Sequence, residues 1–401
     1  MLNVIIIFIA LSLAIYLAFS KKLSKSSNWK GMLVPLASIM GSGFLISAPL
    51  LGGIVGNLAL IFMILLLILA FMVGGAIRFN IKFFEPIEHE KGIAQNIASV
   101  SRFVLIGAYF ISITYYLELL AAFLLNILAI DNTIAANVVT SILLIIIGLT
   151  GIIKGLDKLE AIEKYAISLN LGIIGALIFS LILYNIQLMF KGTWALPDIS
   201  SSVEFSDIRV ILGLLIVVQG FETSRYLGKE YPAKQRIATM RNAQFVSSAI
   251  YIVFIAATTI LFNDHMGADV TAIISIVKPV AIVLPLLLTI TAIGSQFSAA
   301  VSDYSGAGGL IEEITNNKLP FKYAYLVILL VTLFIVWETN VNQIIAYASR
   351  AFALYYSLQC IVAFFIAKKQ NNLQRRNLYM INFLVLSLIC LLVFFFGIPS
   401  G

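Results

Sequence analysis

The chain has 401 residues, of which 61% are hydrophobic and 11% charged, with a formal net charge of +7 and a mean hydropathy of +1.03. A soluble domain is roughly 45–50% apolar and about 25% charged, so a water-soluble enzyme, a disordered chain and a disulfide-rich secreted scaffold are excluded. The composition is that of a polytopic membrane protein.

A spanning helix takes about 20 mostly apolar residues, so a dozen of them consume roughly 240, leaving little for an aqueous domain. Twelve spans are predicted, at about 2–20, 33–54, 57–77, 103–130, 134–153, 162–187, 209–228, 244–263, 277–311, 322–338, 342–367 and 377–398. No stretch alternates apolar and polar residues as a membrane barrel strand does, and lipid leaves no water for exposed backbone, so the spans are helices. The fold class is all-α, with residues 1–401 forming a single transmembrane domain.

The first run, Leu2 to Ser20, has no basic stretch before it and no small-residue cleavage site; Lys21, Lys22, Lys25 and Lys30 follow it. It reads as a retained helix with the N-terminus outside, in a plasma or inner membrane. Apart from Lys191, Arg209, Lys278 and Arg350, every Lys and Arg falls in the alternate loops 21–31, 78–102, 154–164, 225–241, 312–322 and 368–376. That asymmetry is the positive-inside pattern, and it accounts for the basic balance without nucleic acid. Cys360 and Cys390 lie inside apolar runs and read as buried thiols.

Two spans carry glycine near mid-length: Gly41-Ser42-Gly43-Phe44 in the second and Gln219-Gly220-Phe221-Glu222 in the seventh. Glycine in a membrane helix serves either close packing or an unwound break. The two sites open two five-span blocks, 33–187 and 208–367, which by loop charge run in opposite directions. Discontinuous helices at matching places in inverted halves mark a transporter's midplane site, where half-helix N-termini face an anionic group and freed carbonyls face a cation.

Three segments resemble the amino acid-polyamine-organocation (APC) superfamily of secondary transporters, which share the fold first seen in LeuT. Ser38 to Gly53 (SIMGSGFLISAPLLGG) is similar to its first core helix. Val217 to Tyr251 (VVQGFETSRYLGKEYPAKQRIATMRNAQFVSSAIY) is similar to its sixth core helix and following loop. Asn316 to Pro320 (NNKLP) loosely resembles the loop after its eighth. The resemblance implies ten core helices in a 5+5 inverted repeat from 33 to 367, with 2–20 as an extra leading helix and 377–398 as a trailing one. A leading helix is also reminiscent of sodium/solute symporters.

On that resemblance, amides around Gly41, Ser42, Gly43 and Phe44 face a substrate carboxylate, and carbonyls near Gly220 face its ammonium group. Phe221 packs either on the substrate or on neighbouring helices. The family's aromatic gate is replaced by Ile216, Val217 and Val218, which argues against a large cationic substrate.

Four ionisable residues lie within spans and are functional candidates. Glu222 reads as a proton carrier, or as an ion-pair or helix-end group beside Arg225. Glu118, roughly 24 Å along its helix from Arg102 at about 1.5 Å per residue, lies at the depth of Arg350, so the two read as a structural pair or an external gate. Asp303 lies near Ser295, Ser298, Ser302 and Ser305, which offer ligands to sodium near Ser298 and Ser302 or pack helices closely. The stretch Ala166 to Asn170 lacks the lysine that replaces sodium in proton-coupled relatives. Lys278 snorkels to the outer interface. Phe83 to Lys91 (FFEPIEHEK) reads as a solvated cytoplasmic loop or an inner gate.

No phosphate-binding loop or nucleophile elbow is present, His89 and His265 lie in opposite-side loops, and no metal-ligand spacing occurs. The expectation is a permease, not an enzyme, with no cofactor. It moves an amino acid or related small amine by proton-coupled symport or exchange. The rival readings are a sodium-coupled solute symporter of the same fold and a nontransporting membrane sensor or subunit. The expected partners are the substrate, H⁺ or Na⁺ and the lipid bilayer.

Overall fold

The structure, a computed structural model, describes residues 2–41, 43–130, 132–199, 203–228, 230–263, 266, 269–316, 318–370 and 374–399, without the side chains of Ser24 and 157–164. The described residues form helices and no strands. In chain order these are α1 (Leu2–Phe19), α2 (Lys21–Lys25), α3 (Ser27–Gly41), α4 (Phe44–Val55), α5 (Ala59–Phe83), α6 (Ile93–Ile127), α7 (Thr133–Lys154) and α8 (Asp157–Phe190). The second half holds α9 (Phe205–Leu212), α10 (Thr223–Tyr226), α11 (Ala233–Thr258), α12 (Ile273–Ile276), α13 (Leu284–Ile314), α14 (Phe321–Glu338), α15 (Val341–Lys369) and α16 (Arg376–Phe396).

Ten helical stretches among the described residues are long and apolar enough to cross a membrane, against twelve predicted spans. Two features make the difference. α3, α4 and α5 fall within one apolar stretch, Ser27–Phe83, of 57 residues, well over the about 20 that one crossing takes. Residues 205–226 are divided into α9, a 3₁₀ turn at Leu215–Val218 and α10, none long enough alone.

Other boundaries shift for local reasons. The predicted span 277–311 begins as a helix only at Leu284, because 277–283 form turns around the exposed Lys278 and Pro279; Pro285 then occupies the first turn of α13, where its missing N–H has no partner to lose. Helix α11 starts at Ala233, eleven residues before the predicted span, because Pro232 stands at its N-cap and Arg236 and Thr239 in its first two turns are buried among other elements.

Helices α6, α13 and α15 form much of the interior, while α1, α7, α14 and α16 present most of their side chains outward. Leading helix α1 buries only Ile6, Ala10, Ala14 and Ala18, one residue per turn. That stripe seats on α8, where a β-carbon at Gly172 would lie 2.5 Å from the Ala10 carbonyl oxygen. Small residues allow this close approach, which replaces the hydrophobic drive that lipid cannot supply. At the other end of the chain, Ile398 donates its N–H to the Arg209 carbonyl at 3.2 Å, tying the residues after α16 to α9.

Candidate functional site

Both glycine sites are true interruptions, and they are seated against each other. Helix α3 ends at Gly41 and α4 starts at Phe44, with Gly43 between them at φ +157°. A β-carbon on Gly43 would stand 2.9 Å from Val217 Cα. Across the contact, Gly220 adopts φ +110°, and its β-carbon would stand 2.6 Å from the Ser38 carbonyl carbon and 2.8 Å from the Ile39 nitrogen. Each glycine thus lies on backbone a few residues before the other break, a closeness that a β-carbon at either position would prevent. Ser42 lies outside the described residues, as does His265.

Unwound backbone inside a bilayer has to find partners within the protein, and the neighbouring helices supply them. The Tyr251 hydroxyl on α11 lies 2.5 Å from the Val217 carbonyl oxygen and 3.1 Å from that of Ile39. Gln296 on α13 donates to the Gly41 carbonyl at 2.9 Å. Ser349 on α15 accepts from the Ile216 N–H at 2.8 Å and donates to the Gly213 carbonyl at 2.7 Å. Sequence reasoning did not single out Tyr251, Gln296 or Ser349; their signal was a polar group inside an apolar span, which many residues share.

Glu222 is buried and turns back on its own break. Its Oε2 accepts the Gly220 N–H at 3.0 Å and the Tyr356 hydroxyl at 2.8 Å. Phe221, also buried, stacks on Tyr356 with ring centroids 5.2 Å apart and planes at 19°, while Phe44 packs on Phe254 and Tyr251. Both rings meet neighbouring aromatics. Arg225 does not pair with Glu222: it donates to Gln359, lies 3.8 Å from Glu88 and covers the Phe84 ring.

Asp303 accepts from the Ser112 hydroxyl of α6. On the same helix, the Tyr116 oxygen accepts from Gln219 at 2.8 Å. The serines on α13 separate from Asp303, which sits about a quarter turn round the helix from Ser302. Ser295, Ser298 and Ser302 face a small cavity of about 20 Å³, shared with Ser38 on α3 and Ala166, Ile167 and Asn170 on α8. That volume admits one water-sized species. The stretch Ala166 to Asn170 and the serines expected near an ion are thus brought together, with neutral oxygens only.

The expected Glu118 to Arg350 pair is not formed. Arg350 points to α16, donating to the Phe394 carbonyl at 2.7 Å with its guanidinium 5.8 Å above the Phe394 ring. Similar depth does not fix rotation about the helix axis, and the face of α15 that carries Arg350 packs against α16 rather than α6. Glu118 instead lines a cavity with the starts of α7 and α15.

The segment Phe83 to Lys91 is pinned by ion pairs at the end of the bundle that carries the basic loops. Glu85 pairs with Arg236 of α11 through contacts of 2.6 and 2.9 Å, and Arg236 also donates to the Arg225 carbonyl at 2.8 Å. Glu88 pairs with Arg102, which reaches Glu313 at 3.0 Å. Phe84 is fully buried, whereas His89 is exposed. Among the described residues no group of three or more His, Cys, Asp or Glu side chains is placed to hold a metal ion.

Apolar helices interrupted at two mutually seated breaks define a membrane transporter, and comparison with known proteins agrees. Residues 21–397 match the family described as APC superfamily transporter. A protein of Aquifex aeolicus (strain VF5), described only as an uncharacterized protein, is 41% identical over 375 residues, covering 90% of this chain and 91% of the relative. Among solved structures, the Eremococcus coleocola manganese transporter in complex with an aromatic bis-isothiourea substituted compound superposes with a TM-score of 0.56 at 16% identity, covering 92% of this chain and 87% of that one. A point mutant of the same transporter also gives 0.56 at 16% identity, covering 94% and 90%. These solved structures share the fold. The chain belongs to the APC superfamily of transporters.

Proposed function

We propose that the chain is a secondary active transporter of the cell membrane that carries an amino acid or related small amine by alternating access, through proton-coupled symport or exchange. In this reading it crosses twelve times, as inverted repeats 33–187 and 208–367 between the leading and trailing helices, with its N-terminus outside and the basic loops in the cytoplasm. The observation that carries the reading is the reciprocal seating of Gly43 on Val217 and Gly220 on Ser38 and Ile39. With the two breaks this close, the first-turn amides of α4, from Gly43 and Phe44 onward, offer partial positive charge and the irregular backbone at Gly220 offers partial negative charge. That combination of partial positive and partial negative charge suits a zwitterion.

The manganese carried by the Eremococcus protein does not transfer readily. Manganese takes carboxylate, carbonyl and water oxygens, and the one carboxylate at these breaks, Glu222, already accepts from Gly220 and Tyr356. Proton coupling is supported by two buried carboxylates, Glu222 accepting from the Tyr356 hydroxyl and Asp303 from the Ser112 hydroxyl. Sodium coupling is the second reading, favoured by the cavity of Ser38, Asn170, Ser295, Ser298 and Ser302.

The test is uptake of a labelled amino acid mixture into proteoliposomes under an inward proton gradient, an inward sodium gradient or neither. Proton-driven accumulation is expected. Sodium-driven accumulation lost in Ser298→Ala/Ser302→Ala supports the second reading, and binding without accumulation or counterflow identifies a sensor. In Glu222→Gln the side-chain oxygen can still accept both hydrogen bonds but the titrating proton is gone, so transport becomes independent of pH. An unchanged pH profile removes Glu222 as proton carrier.

A further inference from the structure

At the end of the bundle opposite the basic loops, a cavity of about 630 Å³ opens between the C-terminal part of α6, the start of α7, the segment 269–271 and the start of α15. Cavities of roughly 300–1,000 Å³ hold small organic molecules, and this one is far larger than an inorganic ion needs. None of the break residues lines it.

Its floor is Glu118, 4% exposed. Glu118 Oε2 has no hydrogen-bond partner. Oε1 has only the Thr339 hydroxyl at 3.5 Å, and that hydroxyl's single proton is directed to the Ile335 carbonyl at 2.8 Å. A buried carboxylate is costly without a donor or a counter-charge. None of the described residues lining the cavity is Lys or Arg, and Arg350 is turned toward Phe394.

The rest of the lining repeats this excess of acceptors. Asp269 adds a second carboxylate, held in place by the Thr271 N–H and hydroxyl at 2.8 Å each, and Asn342 Oδ1 is buried without a partner. The N-termini of α7 and α15, which attract anions when bare, are capped here by the side chains of Asn132 and Asn340. Ala122, Leu125 and Val341 supply an apolar wall.

We propose that this cavity binds a small organic ammonium ion, with the Glu118 carboxylate as its counter-charge and the apolar wall holding its hydrocarbon body. An ammonium group brings three N–H donors and no acceptor, which is what Glu118 and Asn342 lack. Two carboxylates repel an anion. The site stands independently of the reading of the breaks.

The test is calorimetric titration of the full-length protein in lipid nanodiscs with 2-phenylethylammonium and n-butylammonium, against neutral 2-phenylethanol. Saturable binding of the ammonium ligands is expected, at least tenfold tighter than the alcohol, weakened tenfold or more by Glu118→Gln and unchanged by Gly294→Ala, where a β-carbon meets nothing within 4 Å. Ala136→Phe, which fills the cavity while leaving Glu118 in place, also abolishes binding and decides the matter if Glu118→Gln does not fold. Equal binding of alcohol and ammonium, no heat from either ammonium, or loss in Glu222→Gln with retention in Glu118→Gln or Ala136→Phe overturns the proposal.

Discussion

Gly220 shows how one missing β-carbon sets the geometry of the whole site. Its φ of +110° is a conformation that L side chains rarely adopt, and the Ser38 backbone occupies the space a β-carbon would take. Backbone strain of this kind costs of order 1–3 kcal/mol, and the steric overlap adds to it unless the two breaks separate. Gly220→Ala is therefore expected to lower the thermal unfolding midpoint in detergent and to reduce uptake at least tenfold, whereas Gly294→Ala, where a β-carbon meets nothing within 4 Å, leaves both unchanged. Normal uptake in Gly220→Ala would show that the close seating is dispensable. The breaks were legible in the sequence because glycine in mid-span is a local signal. Their partners Tyr251, Gln296 and Ser349 were not, since which buried hydroxyl or amide reaches which freed carbonyl depends on how distant helices pack.

At the scale of elements, the short helix α10 is held from below by charge. Arg236 joins α11 to Glu85 and to the Arg225 carbonyl, and Arg225 in turn meets Glu88. Exposed ion pairs contribute ~0–1 kcal/mol, and breaking a buried one costs ~3–5 kcal/mol; the Arg236 to Glu85 pair, with side chains 6% and 19% exposed, falls between. That is enough to bias an equilibrium between closed and open forms without unfolding the bundle. With Cys360 and Cys390 replaced by serine, a cysteine put in place of the buried Ser224 should react at least tenfold faster with an impermeant maleimide, applied at the basic-loop face, once Arg236→Ala is added. An unchanged rate means that these pairs do not close that face. Phe83 to Lys91 had read as either a solvated loop or an inner gate, and the sequence left both open because the arginines that hold it arrive from α6, α10 and α11. Leading helix α1 had no assigned role; its alanine stripe and Gly172 make it a brace on α8.

For the molecule as a whole, the proposed orientation rests on the distribution of Lys and Arg, because cytoplasmic loops retain basic residues during insertion. Single cysteines in place of Lys191 and Lys368, in the background lacking Cys360 and Cys390, separate the two faces. In intact cells, an impermeant reagent should label the first and reach the second only after permeabilisation. The reverse pattern would invert the proposed topology. Membrane class, helical architecture and the two breaks were written in the sequence by itself, because apolar run length, loop charge and glycine in a span act locally along the chain. Only the tertiary structure decided that Glu118 faces a cavity instead of Arg350, that Asp303 meets Ser112 while its neighbouring serines face α3 and α8, and that Glu222 folds onto its own break. Those outcomes depend on each helix's rotation about its axis and on its neighbours, which packing sets and residue spacing does not.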